Sequence, residues 1–184
     1  QASGRSVFAQ GTLDLMEKKC VQGRTVHFDH KNPEFYPTED RIDCWKIWNL
    51  PSLDHEYTIG IDCAEEKAAD TEKKRSEPDR HGVIVLDRFT GNVVAQWHGR
   101  TSLRQLGEQC LSCARLYNNA WIAPELPHGM LILDILRSQG YDHIYSRTTH
   151  DETLIMEDGE NLGWRTTTMT RPWMVDGLKQ MVRD

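Results

Sequence analysis

The sequence predicts an α/β fold, a mixed β-sheet with helices packed on it, and three observations lead there. Short β-branched apolar runs at YTIGID (57–62), HGVIVLDR (81–88) and NVVAQWHG (92–99) follow one another with no helical segment between them. Further strand-like runs then alternate with amphipathic helical patterns, which calls for crossover connections and parallel neighbours. The chain has 184 residues, 38% hydrophobic and 27% charged, enough to bury one sizeable core. That composition excludes collagen-like repeats and argues against wholesale disorder.

The first 56 residues read as an irregular lead-in packed on the core, because FDHKNPEFYPTED (28–40) is crowded with acids, prolines and turn formers. In this division residues 57–184 form the domain proper. YTIGID has the profile of a buried strand that ends on an acid. The densely charged stretch 63–79 has little to bury and reads as a solvated loop. The next two runs are separated by Phe89-Thr90-Gly91, which predicts an antiparallel hairpin with glycine where positive φ is useful.

Leu103, Leu106, Cys110, Ala114 and Tyr117 recur at steps of three and four behind Ser102, so a helix with a serine N-cap is expected over about 102–117. AWIAPEL (120–126) is a strand that stops at a proline and an acid. A helix follows over 129–139 and ends before Gly140. HIYS (143–146) adds a small strand, and a last helix starts near Pro172 with Met174, Leu178 and Met181 on one face. A three-strand meander followed by alternating helices and strands is the order of the ribonuclease H-like fold.

With 22 Lys and Arg against 28 Asp and Glu, the net charge of −6 gives no whole-molecule attraction to phosphate backbones or anionic lipid. Any grip on nucleic acid must be local. No apolar run approaches the roughly 20 residues of a membrane span, and the first residues lack the layout of a secretory signal. The five cysteines are expected as free thiols in a reducing compartment, and Cys110 and Cys113 fall on the apolar stripe of a helix, where packing explains them better than zinc. No phosphate-binding Gly-x-x-x-x-Gly-Lys-Ser/Thr loop occurs.

Asp62 and Glu125 end two strands that are expected to be parallel neighbours, which exposes both at one edge of the sheet. Ligands of open sheets bind outside the carboxyl ends of strands, and paired carboxylates there suit Mg²⁺ or Mn²⁺. The competing reading is that both acids are simply solvated.

At YTIGIDCAEE, DRFTGNVVAQWHG, LYNNAWIAPELPHGMLILDILRSQGYDHIYSR and GWRTTTMTRPWMVDGLK the chain resembles the carboxy-terminal nuclease domain of phage terminase large subunits, from roughly Trp45 to Lys179. The resemblance implies a ribonuclease H-like endonuclease in which Asp62 and Glu125 match the first two metal-binding acids and hold Mg²⁺ or Mn²⁺ while viral DNA concatemers are cut. It implies double-stranded DNA as substrate and a terminase ATPase domain, a small terminase subunit and the portal as partners, with no membrane and a location in the host cytoplasm.

The family's third acid, in an Asp-Asp pair on a later helix, has no match before Asp184, so the resemblance implies a domain truncated at its carboxy terminus, a fragment expected to bind metal poorly and to be inactive for that reason. Asp79 and His128 are auxiliary candidates, for metal support and phosphate contact respectively. Arg147, Arg165, Arg171 and Lys179 are candidate DNA contacts, and Trp164 and Trp173 can stack on bases, although acids interleave the basic residues. The rival readings are a catalytically incomplete DNA-guiding or docking module of the packaging complex, and another ribonuclease H-like enzyme such as a transposase or resolvase.

Overall fold

The computed structural model describes residues 8–29, 34–39, 43–64, 79–147 and 161–183. In chain order the elements are α1 (Gln10–Lys19), β1 (Arg24–Phe28), β2 (Phe35–Pro37), β3 (Trp45–Ile47), β4 (Tyr57–Asp62), β5 (His81–Asp87), β6 (Val93–Gly99), α2 (Leu103–Leu116), β7 (Trp121–Leu126), α3 (Met130–Ser138), β8 (Trp164–Arg165) and α4 (Thr170–Arg183). The chain divides into two units, Gly23–Arg165 and a smaller one made of Gln1–Gln22 with Thr166–Asp184.

The larger unit holds an 8-stranded sheet in the order β2-β1-β3-β6-β5-β4-β7-β8. Strands β4, β5 and β6 form the expected antiparallel meander, and β7 returns parallel to β4 through α2. The lead-in is not irregular throughout: β1, β2 and β3 extend the sheet beyond β6. They escape a periodicity search because β2 and β3 have 3 residues each, too few to show an alternation; β2 is held in a hairpin with β1, and β3 by ladders to β1 and to the distant β6. Trp45 illustrates this: it pairs with Trp97, is fully buried, and donates its indole N–H to Gln109 at 2.9 Å.

Burial alternates along β4, with Tyr57, Ile59 and Ile61 inside and Gly60 and Asp62 outside. On the buried face these residues meet the apolar stripe of α2, from Leu106 through Cys110 and Ala114 to Tyr117. Each fully buried Leu or Ile of this cluster contributes about 1.5–3 kcal/mol. The stripe and cap are as expected: the Ser102 hydroxyl accepts from the Gln105 N–H. Helices α2 and α3 approach closely at Gly107, where an added Cβ would stand 3.0 Å from Ile135 Cδ1. Cys63, Cys110 and Cys113 are buried free thiols.

Pro124 decides how the sheet ends. Ile122 donates to His143 O and accepts from Tyr145 N, so the segment after α3 starts as a parallel neighbour of β7. The next donor in that register is residue 124, and proline has none. Tyr145 O instead accepts from Gly163 N at 2.7 Å, and Arg147 N donates to Asn161 O at 2.8 Å. The expected strand at 143–146 therefore shrinks to single bridges, and β8 takes its place beside Glu125 and Leu126.

In the smaller unit α1 has no buried residue, and the expected apolar face of α4 is half exposed at Met174, Leu178 and Met181. The charged loop falls mostly outside the described residues, at 65–78, as do the acids of 151–160 and Asp184.

Candidate functional site

The β4–β7 register runs from Thr58 opposite Trp121 to Ile61 opposite Pro124. Ile61 and Pro124 are both buried, so the following residues of each strand, Asp62 and Glu125, turn to the other face together. A one-residue slip would send one carboxylate into the core. The two acids interact directly. Burial raises the Asp62 carboxyl above its ordinary range first, and the charge of Glu125 and a side-chain hydrogen bond with it raise it further. His81 and His128 lie within electrostatic reach and would pull in the opposite direction with their rings protonated.

The turn that leaves Glu125 is tight. Gly129 N donates to Glu125 O at 2.8 Å, and a Cβ on Gly129 would stand 2.7 Å from that oxygen and 2.8 Å from Pro124 Cβ. Only glycine fits. Gly163, with φ of +75°, presses on the same crest from the β8 side, where a Cβ would meet Pro124 O at 2.9 Å. Glu125 is thus flanked by two glycines that let neighbouring backbone close in.

Across β4, the exit from Asp62 is held by His81. The Ala64 N–H donates to His81 Nδ1 at 2.9 Å, and Nε2 faces Thr101 O at 3.0 Å. A ring that accepts at Nδ1 and donates at Nε2 is the neutral Nε2–H tautomer. His81 is 5% exposed. Sequence reasoning missed it, because a histidine opening a strand carries no signal and both partners are distant in sequence. Behind the carboxylates, burial and then the charges of Asp62 and Glu125 push the Cys63 thiol up to about 12, so it stays protonated.

The other candidates divide. Asp79 is exposed just before β5, whose Gly82 pairs with Asp62, so it belongs to the same end of the sheet. His128 is exposed within electrostatic reach of Asp62. Arg165 follows the residue that pairs with Glu125, and Arg147 feels its charge. Arg171 and Lys179 belong to the smaller unit, where Lys179 is bonded to Asp176 at 3.1 Å. Trp164 leans on Tyr145 with ring centroids 6.1 Å apart, and Trp173 is 67% exposed.

Two facing carboxylates that compete for a proton form a hard-oxygen pair suited to a divalent cation, and Mg²⁺ is often bound by one or two carboxylates with water and substrate phosphate completing the shell. Among the described residues no group of three or more His, Cys, Asp and Glu side chains is assembled as a metal cage. The pair fits half of a site.

No family model and no curated protein sequence matches the chain. Its fold does match solved structures. The large terminase nuclease of thermophilic phage G20c superposes with a TM-score of 0.51 at 16% identity, covering 79% of this chain and 63% of that one. The same nuclease with bound zinc matches equally, covering 69% of that chain. The large terminase nuclease domain of Thermus phage P74-26 gives a TM-score of 0.51 and 16% identity over 80% of this chain and 62% of that one. The chain therefore spans under two thirds of the length of most of these domains. The fold is the ribonuclease H-like fold of phage terminase nucleases, as the element order and the resemblance predict.

Proposed function

We propose that the chain is the metal-dependent endonuclease part of a phage large terminase, cutting concatemeric double-stranded DNA during packaging. The observation that carries this reading is the side-by-side placement of Asp62 and Glu125 at the carboxyl edge of two parallel strands, within a fold shared with terminase nucleases. Asp62 and Glu125 are the residues that hold Mg²⁺ or Mn²⁺. A cation bound there supplies a nucleophilic water and offsets charge on the leaving oxygen of a phosphodiester. His81 is a positioning residue that keeps the chain beyond Asp62 in place. His128 and Asp79 flank the pair, where the one can donate to phosphate and the other can order water. The ATPase domain, small subunit and portal are the partners this reading implies, in the host cytoplasm.

A second reading keeps the fold without the chemistry: a DNA-guiding or docking module of the packaging complex. The incomplete ligand set among the described residues favours it. A transposase or resolvase activity has no observation in its favour here.

Plasmid cleavage with Mn²⁺ separates them. Cutting by this chain that Asp62→Asn and Glu125→Gln both abolish supports the nuclease. DNA binding without cutting, in this chain and in one extended to a third acid, supports the module. Equal cutting by wild type and Asp62→Asn removes Asp62 from the mechanism.

A further inference from the structure

We infer that the cavity lined by Phe28, Asp43, Trp97, Gln105 and Gln109 is a site for a guanine base, presented by an unpaired nucleotide of nucleic acid or by a free nucleotide. The inference goes beyond the nuclease reading and does not rest on it.

The cavity has a volume of about 180 Å³. Sites for drug-sized ligands run from about 300 to 1,000 Å³, so this one takes a single ring system and leaves sugar and phosphate at its mouth, where Asp43 and His27 are exposed. It lies on the α2 side of the sheet, at the end that carries the carboxylates: Gly99 pairs with His81, and the neighbouring Gly82 pairs with Asp62. Thr101, on its wall, presents its carbonyl to His81 Nε2 at 3.0 Å.

The donors come from α2. Gln105 and Gln109 are one helical turn apart, so their side chains share a face. The oxygen of each carboxamide is committed to the protein. Gln109 Oε1 accepts from the Trp45 indole at 2.9 Å, and an indole N–H only donates, which fixes the orientation of that amide. Gln105 Oε1 accepts from the Thr101 and Ser102 hydroxyls at 2.7 and 3.2 Å. Among the described residues neither NH₂ group has a partner, so both remain as donors for a ligand.

Asp43 supplies the acceptor. Its φ of +71° is a left-handed conformation that costs a non-glycine residue energy and persists where the surroundings enforce it. Its carbonyl accepts from Trp97 Nε1 at 3.0 Å, and its Oδ1 from Arg100 N at 2.8 Å. Gly99 leaves the room for this, since a Cβ there would collide with Oδ1. The carboxylate is thus pinned with Oδ2 unbonded among the described residues, and Oδ1 keeps a second lone pair.

Guanine is the base that matches this set. Its N1–H and N2–H₂ are adjacent donors for one carboxylate, and its O6 and N7 are adjacent acceptors for carboxamide N–H groups. Adenine and cytosine offer a carboxylate one amino group beside an acceptor, and thymine offers one N–H between two carbonyls. The rings of Phe28 and Trp97 supply the apolar contact that the faces of an unpaired base require.

The test is calorimetric binding of nucleotides to the full 184-residue chain without divalent cation. dGMP should bind at least about tenfold more tightly than dAMP, dCMP or dTMP, and dIMP, which lacks the N2 amino group, should fall about tenfold below dGMP. Asp43→Asn should lose about tenfold or more in dGMP affinity and gain xanthosine monophosphate, whose C2 carbonyl accepts from the amide that replaces Oδ2. Gln109→Glu keeps the oxygen that Trp45 needs, removes both donors, and should weaken dGMP by about tenfold or more. Asp54→Asn, before β4 at the other end of the sheet, should change nothing. A thymine oligonucleotide carrying one guanine that binds more tightly than dGMP assigns the site to nucleic acid; one that binds no more tightly assigns it to a free nucleotide. Equal affinity for all the nucleotides, dIMP equal to dGMP, no binding of dGMP at millimolar concentration, or dGMP affinity unaltered in either site variant overturns the inference. Should Asp43→Asn not fold, Gln109→Glu and the comparison of dGMP with dIMP in the wild type decide. The nuclease reading fails separately: guanine selectivity in a chain that does not cut with Mn²⁺ keeps the site, and Mn²⁺-dependent cutting that needs Asp62, with no guanine selectivity, removes it.

Discussion

Two aspartates stand at opposite ends of the β4–β5 hairpin, and their surroundings differ in kind. Asp87 is buried with every need met: His55 Nδ1 lies 2.7 Å away, and the N–H groups of Phe89 and Thr90 donate to it at 2.8 and 3.2 Å. Burial alone would raise its carboxyl, but these hydrogen bonds override it and hold Asp87 below the ordinary range. Asp62 keeps solvent on one side and faces another carboxylate; partial burial first and the charge of Glu125 second hold it above that range. The protein stabilises one charge fully and leaves the other under repulsion. An acid with all its partners supplied is structural; an acid opposed by a second acid is under a repulsion that a divalent cation would relieve, as the proposed nuclease requires.

The strongest break of this contrast is catalytic. Replacing Asp62 or Glu125 by its amide should lower Mn²⁺-dependent cleavage by more than about 100-fold, since even outer-shell partners of metal ligands cost about 10–100-fold. Asp87→Asn, assayed well below its melting temperature, should leave cleavage unchanged. A comparable loss in Asp87→Asn would mean that the two ends are not functionally distinct.

Next comes the backbone behind Glu125. Gly129→Ala pushes a methyl group into Glu125 O and Pro124, an overpacking worth about 1–3 kcal/mol. For a chain of this size that is a fall of roughly 2–12 °C in Tm. Gly60→Ala, on the open face of β4 with nothing within 4 Å, is the control and should lower Tm far less. Equal Tm values for the two variants would refute the crowding at Gly129.

The smaller effects are opposite in sign. Asp87 has a depressed folded pKa, so its contribution to stability is present above the unfolded value of about 3.9 and is lost as pH falls through the folded one. Asp87→Asn should therefore lower Tm at neutral pH, with the gap to wild type closing under acid conditions. Asp62 has a raised folded pKa, so its ionisation costs stability above the unfolded value of about 3.9. Without divalent cation, Asp62→Asn should raise Tm slightly at pH 7 and not at low pH. Thermal unfolding against pH checks both, and a Tm lowered by Asp62→Asn at pH 7 would contradict the repulsion at that end.

Much of this was legible in advance. The runs 57–62, 81–88, 92–99 and 120–126 are buried strands because β-branched residues alternate or cluster there, and the α2 stripe follows from spacing alone. Strands β1 to β3 were not legible. β2 and β3 are too short to show a period, and β3 joins the sheet through β6, some 50 positions along the chain, of which local pattern carries no trace. His81 was hidden for the same reason. The proline at 124 was visible as the stop of a strand, but its consequence, a lost donor beside which the next strand breaks away and admits β8, depended on where Gly163 and Asn161 arrive.

The order of apolar and polar residues determined which segments are strands, which are helices, and that Asp62 and Glu125 close two of the strands. That is local information, set by side-chain branching and period. Only the tertiary structure decided that β4 and β7 pair in the register that turns both acids to one face, and that Arg147 and Arg165, 18 positions apart in sequence, come near enough to feel each other's charge. Register depends on fitting two buried faces together, and that fit exists only when the strands, the helices and the two glycines around Glu125 are packed at once.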